Sequence, residues 1–353
     1  KRYCCFCSKY SCSTLCQEYY QQVCSRLLKP PYVCNGCDVK RSCTLEKRVY
    51  SAIHAQQEYE TLRSETRQGI QLTEEEALRL DKIISPLIMK GQSLHHIYVN
   101  HADEIMLSER SLYTYVDSGI FTVKNIDMPR VVRMGKRKKK QDCFKVDKKC
   151  RIGRSYQDFL KFISDNPGLN IVEMDSLEGR KGGKVLLTLH FTIPQFMIAF
   201  IREANTSQSV IDIFDKLYWE LGTDSFCRLF QVLLTDNGSE FSNPSAIEKD
   251  LQGNPRTRIF YCDPQAPYQK GATENNHLLI RRIIPKGTSI DHLTQENINL
   301  MMNHINSYAR PNLGDKTPYE VFASLYGEDL LRKMGAELIH SNNVTLRPSL
   351  LKK

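Results

Sequence analysis

The sequence lacks any apolar run long enough to form a membrane-spanning helix. Its longest apolar stretches, such as Val185–Phe191, are far shorter than the roughly 20 residues that a span requires, so we expect no membrane partner. A secretory signal is also absent, and the chain begins with Lys1 rather than Met, which we interpret as a missing upstream segment. Apolar residues make up 41% and charged residues 25%, which argues against bulk disorder.

Histidine is absent before His54, whereas cysteine is concentrated there. Nine of the 13 cysteines lie in the first 43 residues. A secreted disulfide domain is one interpretation of this block. The long Lys-rich remainder with isolated cysteines favours an intracellular protein in which the block binds metal. Without histidine in this block, all the ligands would be thiolates.

The sharpest unit in the block is Cys34-Asn35-Gly36-Cys37. Gly36 would let the backbone fold so that both thiolates face one point, as in half of a tetrahedral zinc site. The residues predicted for this structural zinc site are Cys24, Cys34, Cys37 and Cys43. A second site could use Cys4, Cys7, Cys12 and Cys16. The alternative is a set of small buried or reactive thiols.

The charge of the chain is uneven. The net charge is +9, and residues 129–154 alone hold twelve Lys or Arg against Asp142 and Asp147. The rest of the chain therefore sums to about zero. A basic block inside a neutral protein favours a polyanionic partner, nucleic acid first, although a solvated charge run is the alternative. The residues expected to neutralise DNA phosphates include Lys136, Arg137, Lys138, Lys139 and Lys140.

Helical periodicity dominates residues 49–128. Thr73 followed by Glu76 predicts a capping box that opens one helix. A short helix, a turn and a second helix capped by Ser108 then follow the order of a helix-turn-helix, whose second helix lies in the DNA major groove. A plain helical bundle is the alternative. The side chains that would face base edges are Glu109, Arg110 and Ser111.

From Tyr156 onward, three apolar strands form an antiparallel meander, and helices then alternate with strands. A buried strand ends at Asp236, where Asn237-Gly238 gives the backbone freedom to turn. Alternation puts Glu173 and Asp175 on one face of the first strand. Because the first and fourth strands are neighbours in this order of elements, we expect Asp175 to lie beside Asp236.

A later helix is expected to bring a third carboxylate, Glu274. Lys270, His277 and Arg281 share its stripe by three- and four-residue spacing, and we expect them to contact phosphate, with surface solvation as the alternative. Glu240 lies beyond the turn and is expected to stay outside the group. Crowded carboxylates repel unless cations neutralise them, which predicts two divalent ions, Mg²⁺ or Mn²⁺.

The motifs in this part of the chain, above all Gln269-Lys270-Gly271-Ala272-Thr273-Glu274-Asn275, resemble a known family. The other matching segments are residues 173–175, 234–241, 261–264, 280–281, 285–288, 304–310 and 316–318. The sequence resembles the IS-thirty family of bacterial insertion-sequence transposases, within the DDE superfamily that includes retroviral integrases. Two departures are a missing N-terminal helix-turn-helix and a long gap between the second and third acids, which indicates an insertion around residues 243–256.

The resemblance implies an α/β ribonuclease H-like catalytic domain, a mixed sheet with flanking helices. Asp175, Asp236 and Glu274 would bind the two ions and catalyse DNA strand cleavage and strand transfer. The expected partners are double-stranded DNA, both the inverted repeats of the element and the target, and at least one further copy of the chain. The location would be the bacterial cytoplasm, in association with the nucleoid.

The predicted organisation has five parts. These are a Cys-rich segment (1–48), a helix-turn-helix region (49–128), a basic linker (129–155), the catalytic domain (156–325) and a C-terminal tail (326–353). Two rival functions remain open. One is a ribonuclease H-type nuclease that cuts without joining, and the other is a non-catalytic, sequence-specific DNA-binding regulator derived from a transposase.

Overall fold

The computed structural model describes residues 22–65, 72–129, 149–180, 182–264 and 266–351, with the backbone alone of residues 65, 149, 267 and 272–275. The chain divides into two compact units, residues 1–72 and residues 73–353. The basic residues 136–140 and the four cysteines predicted for a second zinc site lie outside the described residues.

Turns make up much of the described part of the first unit. A 3-10 helix, Ser25–Leu28, comes before the turns, and helix α1, Ala52–Glu65, follows them. The Asn35 side chain joins the turns to the start of α1, because its amide donates to the Tyr50 carbonyl and its oxygen accepts from the Tyr50 N–H, both at 2.8 Å. Leu27 is the one buried apolar residue in the described part of this unit.

Three helices open the second unit: α2 (Glu74–Met89), α3 (Leu94–Ile105) and α4 (Glu109–Asp117). The predicted capping box is confirmed, since Thr73 Oγ1 accepts from the Glu76 N–H at 3.3 Å and Glu76 Oε2 accepts from the Thr73 N–H at 2.9 Å. The Ser108 cap on α4 is confirmed as well, with Oγ accepting from the Ser111 N–H at 3.1 Å. The α4 residues that face the core are Leu112, Tyr115 and Val116.

A five-stranded mixed sheet forms the centre of the second unit. Its strands are β1 (Ile171–Glu178), β2 (Val185–Phe191), β3 (Phe196–Arg202), β4 (Val232–Thr235) and β5 (Arg258–Tyr261), in the spatial order β3-β2-β1-β4-β5. The first three strands are antiparallel, and β4 and β5 run parallel to β1. This is the ribonuclease H-like arrangement, as predicted.

Helices cover both faces of the sheet. They are α5 (Tyr156–Asp165), α6 (Ser207–Leu221), α7 (Thr223–Leu229), α8 (Pro244–Glu248), α9 (Gly271–Ile283), α10 (Gln295–Asn306), α11 (Pro318–Tyr326) and α12 (Glu328–Lys333). On one face Met174 of β1 belongs to the same core as Phe214 of α6. On the other face Leu177 of β1 belongs to the same core as Ile280 of α9. Because side chains alternate along a strand, Asp175 shares the face that α9 covers.

The C-terminal residues pack onto α2 and the start of α3. The Gln92 side chain donates to the carbonyls of Ser341 and Val344, at 2.8 and 2.9 Å. The Leu346 N–H donates to the Lys90 carbonyl at 2.9 Å. In the division of the chain into two units, α2–α4 and the described residues of the segment predicted as a tail fall in the unit of the sheet, and α1 falls in the other unit. The predicted domain boundaries stay a prediction.

Helices long and apolar enough to cross a membrane are absent from the part of the chain that the structure describes.

Candidate active site

Two carboxylates lie side by side where β1 and β4 run parallel. Met174 and Thr235 are paired across these strands, so the next residue of each, Asp175 and Asp236, stands at the same edge. Burial raises the pKa of both carboxyl groups, and the charge of Asp175 raises that of Asp236 further. The predicted juxtaposition of the first two acids is therefore what the structure has.

Backbone N–H groups orient both carboxylates. Asp175 Oδ1 accepts from the Ser176 N–H at 2.8 Å, and Asp236 Oδ1 accepts from the Gly238 N–H at 3.1 Å. The Asn237 amide donates to the Cys262 carbonyl at 2.7 Å, which joins the turn to the end of β5. These contacts fix the acids on rigid elements rather than on a free loop.

Gly238 lies close to the Glu240 side chain in this turn. Its φ is −60°, a conformation that any residue adopts, so the predicted need for unusual backbone freedom was wrong. A Cβ at this position would stand 2.5 Å from Glu240 Oε2. A larger residue at this position would therefore require the end of the Glu240 side chain to shift.

Glu240 itself is buried, with only 6% of its surface exposed. Burial is the main cause that raises the pKa of Asp175, and the charge of Glu240 raises it further. Glu240 therefore lies near the acid pair, and the expectation that it is not a ligand of this group stays a prediction. The 3-10 turn Ser239–Phe241 folds this side chain back under the Asp-Asn-Gly loop.

Lys270 supplies a cation to the acid pair. It immediately precedes α9, its side chain is buried, and its Nζ donates to the Met174 carbonyl at 3.1 Å. The same Nζ lies 3.6 Å from Asp175 Oδ2. Its charge is the strongest influence that lowers the pKa of Asp175 and of Asp236, against the larger effect of burial.

His277 lies on the stripe of α9 that faces β1, and it contacts the Asp175 carboxylate, as Lys270 does. Its Nδ1 is 3.7 Å from Asp175 Oδ2, and its Nε2 is 2.9 Å from Thr188 Oγ1. Burial, helped by the charges of Lys270 and Arg281, lowers the pKa of His277 to about 4. The imidazole is therefore neutral at neutral pH, and its contact with Asp175 is not an ion pair.

Helix α9 carries the predicted third acid, Glu274, whose side chain lies outside the described residues. One turn beyond His277, Arg281 donates to the Glu178 carbonyl at 3.0 Å. The described residues of the predicted stripe thus lie along β1. Lys270 and His277 are not simply solvated at the surface. Their contact with phosphate stays a prediction.

Two further residues enter the site without having been singled out from the sequence. Arg151, near the end of the basic block, donates to the Asn237 carbonyl at 3.0 Å and lies over the Tyr261 ring at 5.4 Å. Thr188 of β2 lies opposite Asp175 in the antiparallel register and contacts its carbonyl at 3.1 Å. The register of the hairpin could have indicated Thr188, whereas Arg151 reaches the site through a long-range contact.

The predicted DNA-recognition helix is α4, joined to α3 by the three residues 106–108. Arg110 on α4 is exposed. Ser111 Oγ lies 2.8 Å from the hydroxyl of Ser108, and Glu109 Oε2 lies 3.1 Å from His95 Nδ1. Of the three predicted base contacts, Arg110 is thus the one without such a side-chain contact in the described structure. Base recognition by α4 stays a prediction.

The predicted zinc ligands Cys24, Cys34, Cys37 and Cys43 are partly buried free thiols. Among the residues that the structure describes, groups of three or more His, Cys, Asp or Glu that could hold a metal ion are absent. Cys37 Sγ instead accepts from the Arg26 guanidinium at 3.4 Å. The described geometry therefore lends no support to this zinc site, which stays a prediction.

Comparison with known proteins relates the chain to mobile genetic elements, although no family model matches it. It is 27% identical over 245 residues to a probable transposase for the insertion-like sequence element IS1161 of Streptococcus salivarius, covering 67% of this chain and 65% of that protein. It is 39% identical over 103 residues to the transposase InsI for the element IS30A of Escherichia coli K12, covering 28% and 26%. The chain is a relative of insertion-sequence transposases.

Two more distant similarities accompany this relationship. A putative integrase, ORF3, of Spiroplasma virus SpV1-R8A2 B is 23% identical over 294 residues, covering 81% of this chain and 84% of that protein. The catalytic core domain of BIV integrase has a TM-score of 0.33 and 21% identity, covering 44% of this chain and 95% of that chain. This transposase relative spans less than two thirds of the length of the insertion-sequence proteins named above.

Proposed function

We propose that this chain is the DNA transposase of an insertion sequence, a polynucleotidyl transferase that cleaves DNA strands and transfers them to a target. The observation that carries the proposal is the partly buried pair of carboxylates, Asp175 and Asp236, at the edge shared by β1 and β4. Helix α9 bears Glu274 beside this edge, and the sequence is related to transposases. A sheet edge that gathers acids and a cation suits phosphoryl transfer, in which positioning and charge neutralisation do most of the work.

The residues present fit divalent ions. Oxygen-only donors favour Mg²⁺ or Mn²⁺, and burial raises the pKa of Asp175 and Asp236, so both carboxylates would gain from a nearby cation. Asp175, Asp236 and Glu274 would hold two such ions, which supply activation of the attacking oxygen and stabilisation of the leaving oxygen at phosphorus.

The other side chains of the site position these acids. Lys270 fixes the end of β1 through the Met174 carbonyl, and Asn237 fixes the turn after β4 through the Cys262 carbonyl. His277 is neutral at neutral pH, so toward a phosphate oxygen it can offer an N–H but no charge. Arg151 brings a cation to the Asp236 side of the site, where its charge lowers the pKa of Asp236 against the larger effect of burial.

The proposal includes double-stranded DNA as partner, with inverted repeats at the element ends and a separate target. Two ends must be joined, so we propose at least a dimer on DNA, located with the nucleoid in the bacterial cytoplasm. Within the chain, α3 and α4 would recognise the element ends, and residues 136–140 would neutralise phosphates. Residues 156–325 would act as the catalytic domain.

The test is a set of charge-removing variants assayed on a DNA duplex that carries the sequences flanking the gene. Asp175→Asn, Asp236→Asn and Glu274→Gln should each abolish strand cleavage and strand transfer, since one site serves both steps, and should leave DNA binding intact. The losses should be non-additive, because ligands of one site act as a unit. Glu178→Gln is the matched control, an exposed acid three positions beyond Asp175 on β1, and should keep nearly full activity.

The outcomes separate the rival functions. Cleavage without joined products would favour a ribonuclease H-type nuclease. Sequence-specific DNA binding without cleavage by the unaltered protein would favour a DNA-binding regulator. Retention of cleavage by Glu274→Gln would contradict the assignment of the third acid. Inverted repeats bracketing the gene would add independent support for the transposase.

A further inference from the structure

Lys270 is buried in an unusual setting for a lysine. Its side chain is 10% exposed, whereas lysines are almost never fully buried unless paired. Its contacts are with the Met174 carbonyl, at 3.1 Å, and with Asp175 Oδ2, at 3.6 Å. The ammonium therefore stands at the acid pair, on the face of β1 that α9 covers.

Few other cations balance the acid pair in the described structure. Arg151 is a weaker influence than Lys270 on the pKa of Asp236. Glu240 adds a further nearby negative charge. Two desolvated carboxylates that repel each other are costly unless a cation compensates them, and Lys270 is the largest such compensation.

We propose that Lys270 is the built-in counter-cation of the acid pair, which compensates Asp175 and Asp236 in the metal-free protein and sets how tightly a divalent cation binds there. The inference rests on the proposed function for the identity of the metal ligands. A divalent ion and the ammonium neutralise the same two carboxylates, so each lowers the benefit gained from the other. Lys270 thus stabilises the folded site in the absence of metal and weakens the binding of a divalent ion there.

The experiment measures Mn²⁺ binding to the full chain through the EPR signal of free Mn²⁺. Lys270→Gln keeps a donor for the Met174 carbonyl but removes the charge, and should tighten the Kd by roughly tenfold or more, as expected from repulsion between a unit charge and a divalent ion a few ångströms apart. Lys216→Gln, an exposed lysine with 58% of its side chain accessible, is the matched control and should leave the Kd unchanged. Lys270→Met serves if the Gln variant does not fold.

A second readout uses thermal unfolding in EDTA and in saturating Mn²⁺. Lys270→Gln should unfold at a lower temperature than the unaltered protein in EDTA, and Mn²⁺ should raise its unfolding temperature by more. A variant Kd equal to or weaker than that of the unaltered protein would overturn the inference while leaving the metal site standing. Unaltered protein that binds no Mn²⁺, or binding that persists in Asp236→Asn, would overturn the metal site of the proposed function together with the inference.

Discussion

Replacing Arg154 by Met should strongly destabilise the second unit, because it would leave Glu248 charged and buried. The Arg154 guanidinium donates to both oxygens of Glu248, at 3.2 and 2.6 Å. The two side chains are 17% and 9% exposed. Hydrogen bonding to Glu248 is the main cause that raises the pKa of Arg154. The pair fastens the end of the basic linker to α8, which follows the active-site turn.

The size of the loss follows from what remains around Glu248. Removing one partner of a buried ion pair costs about 3–5 kcal/mol. Here Glu248 Oε1 keeps the Ile259 N–H at 3.1 Å and has Arg258 Nε at 3.7 Å. These groups offset part of the loss, so we expect the free energy of unfolding to fall by about 2–4 kcal/mol.

Guanidinium chloride unfolding followed by circular dichroism measures this change. Lys216→Met breaks the exposed pair of Lys216 with Glu220, whose side chains are 58% and 42% accessible, and should cost less than about 1 kcal/mol. In a double-mutant cycle with Glu248→Gln, the coupling energy should be about 1–3 kcal/mol. An Arg154→Met effect no larger than that of Lys216→Met, or a coupling energy of zero, would refute the reasoning.

Three further predictions concern charge and metal. Replacing the five basic residues 136–140 by Gln should weaken binding to all DNA sequences alike and reduce the slope of log K against log salt by up to about 4.5, because phosphate contacts release counterions. Arg110→Ala should instead change the preference among DNA sequences. An unchanged salt slope would show that the basic block does not contact DNA. If the N-terminal cysteines bind zinc, the purified chain should carry near-stoichiometric metal that Cys34→Ser reduces, and freely titrating thiols in a metal-free protein would exclude it. Burial holds the folded-state pKa values of Asp175 and Asp236 above their unfolded values. The metal-free protein should therefore lose stability as the pH rises from about 4 through the folded-state pKa values. Asp236→Asn should reduce this loss of stability when unfolding is measured across the same pH range.

The sheet could be predicted because its strands are short, almost wholly apolar runs. All seven residues of β2 are buried, as expected for a strand covered on both faces. The order of elements then indicated that β1 and β4 are neighbours, which was sufficient to place Asp175 beside Asp236. Local signals also sufficed for helix starts, since Thr73 and Ser108 act within one turn of the chain.

Long-range contacts account for what the sequence could not reveal. The burial of Glu240 depends on how the turn after β4 folds under Asp175, and periodicity carries no information about it. The contacts of Gln92 could not be predicted for the same reason, since its partners lie about 250 residues later in the chain.

The packing of residues 341–346 onto α2 and the start of α3 affects the order in which parts of the chain fold during synthesis. Domains fold as the chain emerges, N-terminal parts first, but the carbonyl acceptors of Gln92 and the buried side chains of Val344 and Leu346 leave the ribosome about 250 residues after Gln92 itself. The helices proposed to bind DNA therefore remain incompletely packed until the whole sheet has been synthesised. A product that terminates before residue 341 would keep the acids and the proposed recognition helix α4. It would leave exposed the surface of α2 and α3 that residues 341–346 cover.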